Sequence, residues 1–357
     1  MESNYKRLGE YIEQVDVKNS DLTVELLLGV SIEKKFIASH ANTVGTDFSK
    51  YKVVKKGQFA YGPVTSRNGN KISIALLKET DSCLVSSSYI PFEIIKPKDL
   101  DADYLMLLFS NPEFDRYARY NSWGSAREVF SWNDFCDSML YIPDIKKQKE
   151  IVARHNSIKK YCEEKKAENT ILEKLADTLY IQLLNDCSEW DNIILGKETK
   201  ISAGGDNPKD SVDKKTDKCQ IPIYSNGTSN DGLFGYTSKA KINEPSITIS
   251  ARGELGYTVL HKEPYTPIVR LISIVPNNQE MLEFLFLHFK HKTLDESGSA
   301  QKQATKPYFE AMEIAIPSTT ELKVFRKKVI PILDCIQRNK RYINELNELD
   351  KLLCKMI

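Results

Sequence analysis

Two stretches of the chain place their core-type residues at alternating steps of four and three. From Ile151 the series runs through His155, Ile158, Cys162, Lys165, Asn169, Leu172, Ala176 and Leu179 to Leu183; from Phe325 it runs through Val329, Ile332, Ile336, Asn339, Ile343, Leu346, Asp350 and Leu353 to Ile357. Such steps hold residues on one stripe of a 3.6-residue helix, and a stripe sustained over several turns is the seam of a coiled coil. The two series lie 174 positions apart, which predicts two long helices of one design. Pro331 is expected in the first turns of the second helix, where a missing N–H is tolerated. Polar seam positions, Lys165, Asn169, Asn339 and Asp350, weaken packing but set register. The front of each helix is basic (Lys146, Lys147, Lys149 and Arg154; Lys323, Arg326, Lys327 and Lys328), and the rear is acidic (Glu168, Glu173 and Asp177; Glu345, Glu348 and Asp350). Opposite charges meet only if the helices run antiparallel. Basic helix starts also oppose the macrodipole; nearby phosphate, an acidic partner surface and plain solvated lysines all fit them.

Ahead of each helix the pattern changes to short alternating runs, such as Lys71–Leu77 and Ser246–Ser250, separated by the turn signals Arg67-Asn68-Gly69-Asn70, Ser225-Asn226-Gly227 and Asn230-Asp231-Gly232. One apolar helix is expected in each unit, near Ala102–Ser110 and Gln279–Lys290. Gly124-Ser125-Ala126 recurs as Gly298-Ser299-Ala300 and Ile142-Pro143 as Ile316-Pro317, both 174 apart, whereas Leu8-Gly9 and Leu195-Gly196 are 187 apart. Variable fronts lead into colinear ends. The fold class is α+β used twice, two similar globular domains with an internal pseudo-two-fold repeat and an antiparallel coiled coil, divided as domain 1–143, helix 144–185, domain 186–317 and helix 318–357.

Composition narrows the function. The chain has 357 residues, 41% of them apolar, and a net charge of +1, which argues against a simple basic coat for nucleic acid. Charge is nevertheless polarised: Lys34 to Lys78 holds nine Lys/Arg against one acid, and Glu79 to Asp115 eight acids against two lysines. A basic face toward phosphate and chance clustering on solvated strands both fit this pattern. Seven cysteines without a CxxC pair read as reduced thiols. The longest apolar stretch, Met281 to Phe289, is too short for a bilayer, and the N-terminal residues enter no apolar signal core, so a cytoplasmic location without membrane contact is expected.

Two variable domains, each closed by Gly-Ser-Ala, Ile-Pro and a long heptad helix, resemble the specificity subunit of type I restriction-modification enzymes over essentially the whole chain. Residues 142–151 are similar to that family's proline-to-"EQ-x-x-I" helix start, with Gln148 and Ile151 in the matching places and Lys147 where Glu is usual; the second copy, Ile316 to Leu322, lacks the glutamine, so engagement of a partner through this position is expected to differ between the two helix starts. The resemblance implies two target recognition domains, each reading one half of a split double-stranded DNA target, and helices whose length sets the gap. It implies partners as well: two methyltransferase subunits that methylate adenine with S-adenosylmethionine, and ATP-driven restriction and translocation subunits. The chain itself would carry no catalytic centre, cofactor or metal.

Base reading needs forked donors and amides on exposed loops. The candidates are Tyr61, Ser66, Arg67, Asn68 and Arg127 in the first domain, and Tyr224, Ser225, Asn226, Arg252, Lys302 and Gln303 in the second. Asn68 and Asn226 each precede a glycine and equally suit turns that need positive φ. Lys35, Lys50, Lys55 and Lys56 suit phosphate, which gives affinity without sequence information. Trp123 and Trp132 are assigned to the core.

Catalytic signals fail on inspection. Asn111-Pro112-Glu113-Phe114 looks superficially like an amino-methyltransferase loop, but it lacks the second proline and a Gly-rich partner. No phosphate-cradling GxxxxGK[ST] run exists. Pro143-Asp144 with Glu164-Lys165-Lys166 has a nuclease-like spacing, yet all of it falls on or beside one helix. His288 and His291 lack nearby ligands in sequence. The alternatives to a recognition subunit are a methyltransferase or nuclease in its own right and a coiled-coil scaffold without a DNA role.

Overall fold

The computed structural model describes residues 4–39, 45–66, 68–125, 127–269, 271–292 and 305–355. They form two units, Met1–Glu164 with Tyr342–Ile357, and Lys165–Arg341.

The first unit is organised by an antiparallel sheet in the order Ile12–Gln14, Ile90–Ile94, Phe59–Gly62, Ser73–Leu76. Successive side chains of a strand point to opposite faces, and here each face has its own core. Phe59 and Tyr61 join an aromatic cluster with Phe92, Phe109, Phe130 and Phe135, whereas Ala60 joins Val54, Ala75, Cys83 and Val85. Rings stack closely in the aromatic cluster, Phe59 on Phe92 at 4.8 Å and Tyr61 on Phe135 at 4.7 Å. The apolar helix Ala102–Ser110 starts where Asp101 accepts from the N–H groups of Asp103 and Tyr104. Asn111 ends it and caps the next helix, Pro112–Tyr120, with Pro112 in the first turn. The Asn-Pro pair is therefore a helix junction, not a catalytic loop.

The second unit repeats this plan. Its main sheet has the order Thr199–Ala203, Leu271–Pro276, Ser246–Ser250, Thr258–His261, again antiparallel throughout. Ile12 and Thr199 open equivalent strands, as do Phe59 and Ser246, both 187 apart. The strands that close each unit, Met139–Tyr141 and Glu313–Pro317, begin 174 apart and pair with Tyr5–Arg7 and Trp190–Ile194. The shortening of the second copy thus falls after its strand Ser246–Ser250. The expected helix appears as Leu282–His291, with Leu282, Phe284, Leu285, Leu287 and Phe289 buried in one core with Ile247, Ile249 and Ile274.

The long helices are Ile145–Asp186 and Thr319–Lys355, 42 and 37 residues, or roughly 60 and 55 Å at 1.5 Å per residue. Within the first unit His155 meets Asp350 and Cys162 meets Asn347. Within the second, Asn169 meets Asn339, Glu168 meets Cys335, and Cys187 meets Glu321. Rising numbers on one helix match falling numbers on the other in both units, so the pairing is antiparallel. Ile151, Ile158, Leu172, Leu179, Leu183, Phe325, Val329, Ile332, Ile336, Ile343, Leu346 and Leu353 are all buried or half-buried; Ile357 lies outside the described residues.

Three expectations are corrected. Pro331 sits twelve residues beyond Thr319, not in the first turns, with its ring exposed to solvent. Gln148 is fully buried: its amide donates to the carbonyls of Asp99 at 2.8 Å and Pro143 at 2.7 Å and accepts from the Asp101 N–H at 2.9 Å. It ties the helix start to its own domain rather than facing a partner. At the corresponding place the second copy has Leu322, 1% exposed, and starts its helix with Ser318 and Glu321 in a capping box. Finally, Arg326 on the second long helix is held by Glu280 at 2.7 Å and Glu283 at 2.6 Å, Lys340 by Asp231 at 2.9 Å, and Arg341 by Glu263 at 2.6 Å. For Arg326, at the helix start, the acidic surface belongs to its own unit.

Candidate nucleic-acid interface

In each unit an inner strand and the edge strand beside it are joined by a hairpin loop at the same place in the sheet. Residues 63–72 follow Phe59–Gly62, and residues 251–257 follow Ser246–Ser250. Ser66 and Asn68 lie on the first loop and Arg252 on the second; Arg67, between the first pair in sequence, is outside the described residues, as are Lys302, Gln303, Ala126 and residues 298–300.

A second segment braces each loop. In the first unit Thr65 donates its N–H to the Glu128 carbonyl at 2.9 Å, and Phe130 donates to Pro63 at 2.9 Å. Exposed Arg127 belongs to the same bracing turn. Trp123 and Val129 exchange backbone hydrogen bonds of 3.0 and 2.9 Å, and Gly124 adopts φ +138°, where a Cβ would come within 2.1 Å of the Arg127 carbonyl oxygen. In the second unit Asn226 donates its amide to the Arg252 carbonyl at 3.1 Å, and the Ser250 hydroxyl donates to the Asn226 carbonyl. Ser225, half-buried, receives its turn from Asn230, Asp231 and Gly232, all at positive φ. The Asn68 amide donates to the Val64 carbonyl and the Ser73 hydroxyl, so both asparagines serve their loops locally.

Two aromatic assignments change. Tyr61 is 0% exposed, its hydroxyl donates to the Phe130 carbonyl, and burial raises its pKa; it is a core residue and leaves the candidate set. Trp123, assigned to the core, is 65% exposed beside half-buried Val129. The signal for it was its place directly before a Gly-Ser turn, outside any alternating run. Trp132 packs on Phe92 and Phe135 as expected. Tyr224 is half-buried, its ring 4.4 Å from that of His261, and burial pushes its hydroxyl up to about 12.

Much of the basic stretch is neutralised locally. Lys34 pairs with Asp115 at 2.5 Å with only 10% of either side chain exposed, and Lys52, Lys71 and Lys78 meet Asp16, Glu33 and Asp103. Lys50 pairs with Asp47 at 3.2 Å yet stays exposed, as do Lys35, Lys55 and Lys56. His291 does have an acidic neighbour, Asp177 at 3.0 Å, while His288 turns instead to the Tyr180 hydroxyl at 3.1 Å.

A duplicated α+β domain that presents a hairpin loop at the edge of its sheet, closed each time by antiparallel helices, defines a two-domain architecture of one repeated design. Residues 188–348 match the family model of the type I restriction modification DNA specificity domain. One protein of Mycoplasma pneumoniae named as a type I specificity subunit is 35% identical over 119 residues, 33% of this chain and 33% of its own length. Another from that organism, named as the C-terminus of such a subunit, is 32% identical over 113 residues, 32% of this chain and 73% of its length. The crystal structure of a type I restriction-modification system S subunit from M. genitalium superposes with a TM-score of 0.64 at 15% identity, covering 98% of this chain and 94% of that one, and so shares the fold. The chain belongs to the type I specificity-subunit family, although the match spans only about a third of the first curated relative's length. No described helix is long and apolar enough to cross a membrane.

Proposed function

We propose that this chain recognises a split double-stranded DNA sequence as the non-catalytic subunit of a type I restriction-modification complex. The observation that carries the reading is the repeat itself: the same strand order twice, with a braced hairpin loop at the same position of each sheet. Ser66, Arg67, Asn68, Arg127 and Trp123 would contact one half-site, and Ser225, Asn226, Arg252, Lys302 and Gln303 the other, with Tyr224 at the edge. Lys35, Lys50, Lys55 and Lys56 would contact phosphate. Two methyltransferase subunits would supply adenine methylation, with restriction and translocation subunits joining them, and the long helices would set the unread gap.

The test is selection from random duplexes by the chain assembled with its methyltransferase partner, at several salt concentrations. The expected result is a motif of two short halves around a fixed gap, with affinity falling steeply as salt rises. Methylation or cleavage by the isolated chain, or no DNA binding at low salt, would overturn the reading.

A further inference from the structure

His155 on the first long helix faces Asp350 and Cys354 on the second, all within the first unit. Asp350 and Cys354 are four residues apart, one turn on the same helical face. His155 Nδ1 lies 2.8 Å from Asp350 Oδ1, and one imidazole nitrogen, a carboxylate oxygen and Sγ all lie within 4.8 Å of one another. The group is half-buried, with His155 and Asp350 side chains 25% and 23% exposed. Asn111 donates its amide to the Cys354 carbonyl at 2.9 Å, which anchors the turn that carries the thiol. Sequence spacing hid this cluster, because its members are nearly two hundred residues apart.

From these residues we propose a divalent transition-metal site, suited to zinc, in which His155, Asp350 and Cys354 are three ligands and water is the fourth. Bonds of about 2.0 Å to nitrogen and oxygen and about 2.3 Å to sulfur require only small rotamer adjustments from the observed spacing. Imidazole with thiolate selects zinc or cobalt over magnesium and calcium, which prefer all-oxygen sets. Coordination converts the Cys354 thiol to thiolate and releases its proton to solvent. The bound ion would clamp the C-terminal turns of the second long helix to the first.

Cobalt(II) is the direct probe, added to the chelator-treated full chain and followed by absorbance. A thiolate-to-cobalt charge-transfer band at one ion per chain, displaced by zinc, is expected; Cys354→Ser should abolish the band, and His155→Gln or Asp350→Asn should weaken binding by more than tenfold. Zinc should also slow alkylation of Cys354 in the unaltered protein more than that of the other six cysteines, a readout that needs no variant. A band that survives Cys354→Ser, or equal alkylation of Cys354 with and without micromolar zinc, would overturn the site.

Discussion

The Asn339 side-chain amide donates to the Asn169 carbonyl oxygen at 2.9 Å, with both residues buried, 2% and 8% exposed. Each is a buried polar member of a mainly apolar stripe, and each sits on a different helix. A buried amide pair is satisfied in one register only, so it disfavours every slipped alignment. Asn339→Ala should destabilise the protein by about 1–3 kcal/mol because the Asn169 side-chain oxygen loses its donor. The double variant Asn169→Leu with Asn339→Leu should recover that loss. A double-mutant cycle by chemical denaturation checks both; additive effects would show that the two amides do not interact.

Gln148 makes three hydrogen bonds in a site closed to water. Gln148→Leu keeps most of the volume but strands an N–H and leaves two carbonyls without this donor, so a loss on the order of 2–4 kcal/mol is expected. The denaturation midpoint of the isolated chain reads this out. If stability were unchanged and only assembly with a partner suffered, the glutamine would act at an interface instead.

Two histidines of the second unit make its stability fall in mild acid. Burial holds His261 down to about 3 and His288 down to about 4, so both are neutral in the fold, while the unfolded chain protonates them below about 6.5. Their contribution is complete above pH 6.5 and is lost as pH falls toward 4 and then 3, by about 1.4 kcal/mol per unit for each imidazole. His261→Gln, which can keep a bond to the Thr248 hydroxyl, should lower the slope of stability against pH between 6 and 5 by about that amount. An unchanged slope would mean that His261 is already charged in the folded protein.

The braced loops give a sharper set of expectations. Trp123→Ala and Arg252→Ala should leave the melting temperature within a few degrees of the parent, because the one side chain is 65% exposed and the other holds its brace through a backbone carbonyl. Each should reduce discrimination at one half-site by about 1–3 kcal/mol. Lys55→Ala with Lys56→Ala should instead weaken all sequences alike and reduce the salt slope by about one per contact. Competition binding on a panel of single-base variants separates the two behaviours.

Periodicity made the long helices readable because the seam is a local, repeated signal; every described seam position is shielded from solvent. The repeat was readable for the same reason, since a constant offset survives divergence of the residues between. Long-range pairing was not readable. Nothing in the neighbourhood of Lys34 announces Asp115, so a run of lysines that looked like one basic face is in part internal ion pairs. Aromatic residues misled in both directions: Tyr61 belongs to a strand buried on both faces, and Trp123 belongs to a tight turn whose backbone bonds force the indole outward. Gln148 matched a family motif, but its bonds to Asp99 and Asp101, which close this domain onto its helix, join residues nearly fifty positions apart and so had no local signal.

The most direct measurement exchanges residues 1–143 for the equivalent domain of another family member and maps adenine methylation in cells that also carry the methyltransferase partner. One half of the split motif should change to that of the donor, while the other half stays as it was. A motif that changes in both halves, or in neither, would contradict independent reading by the two domains.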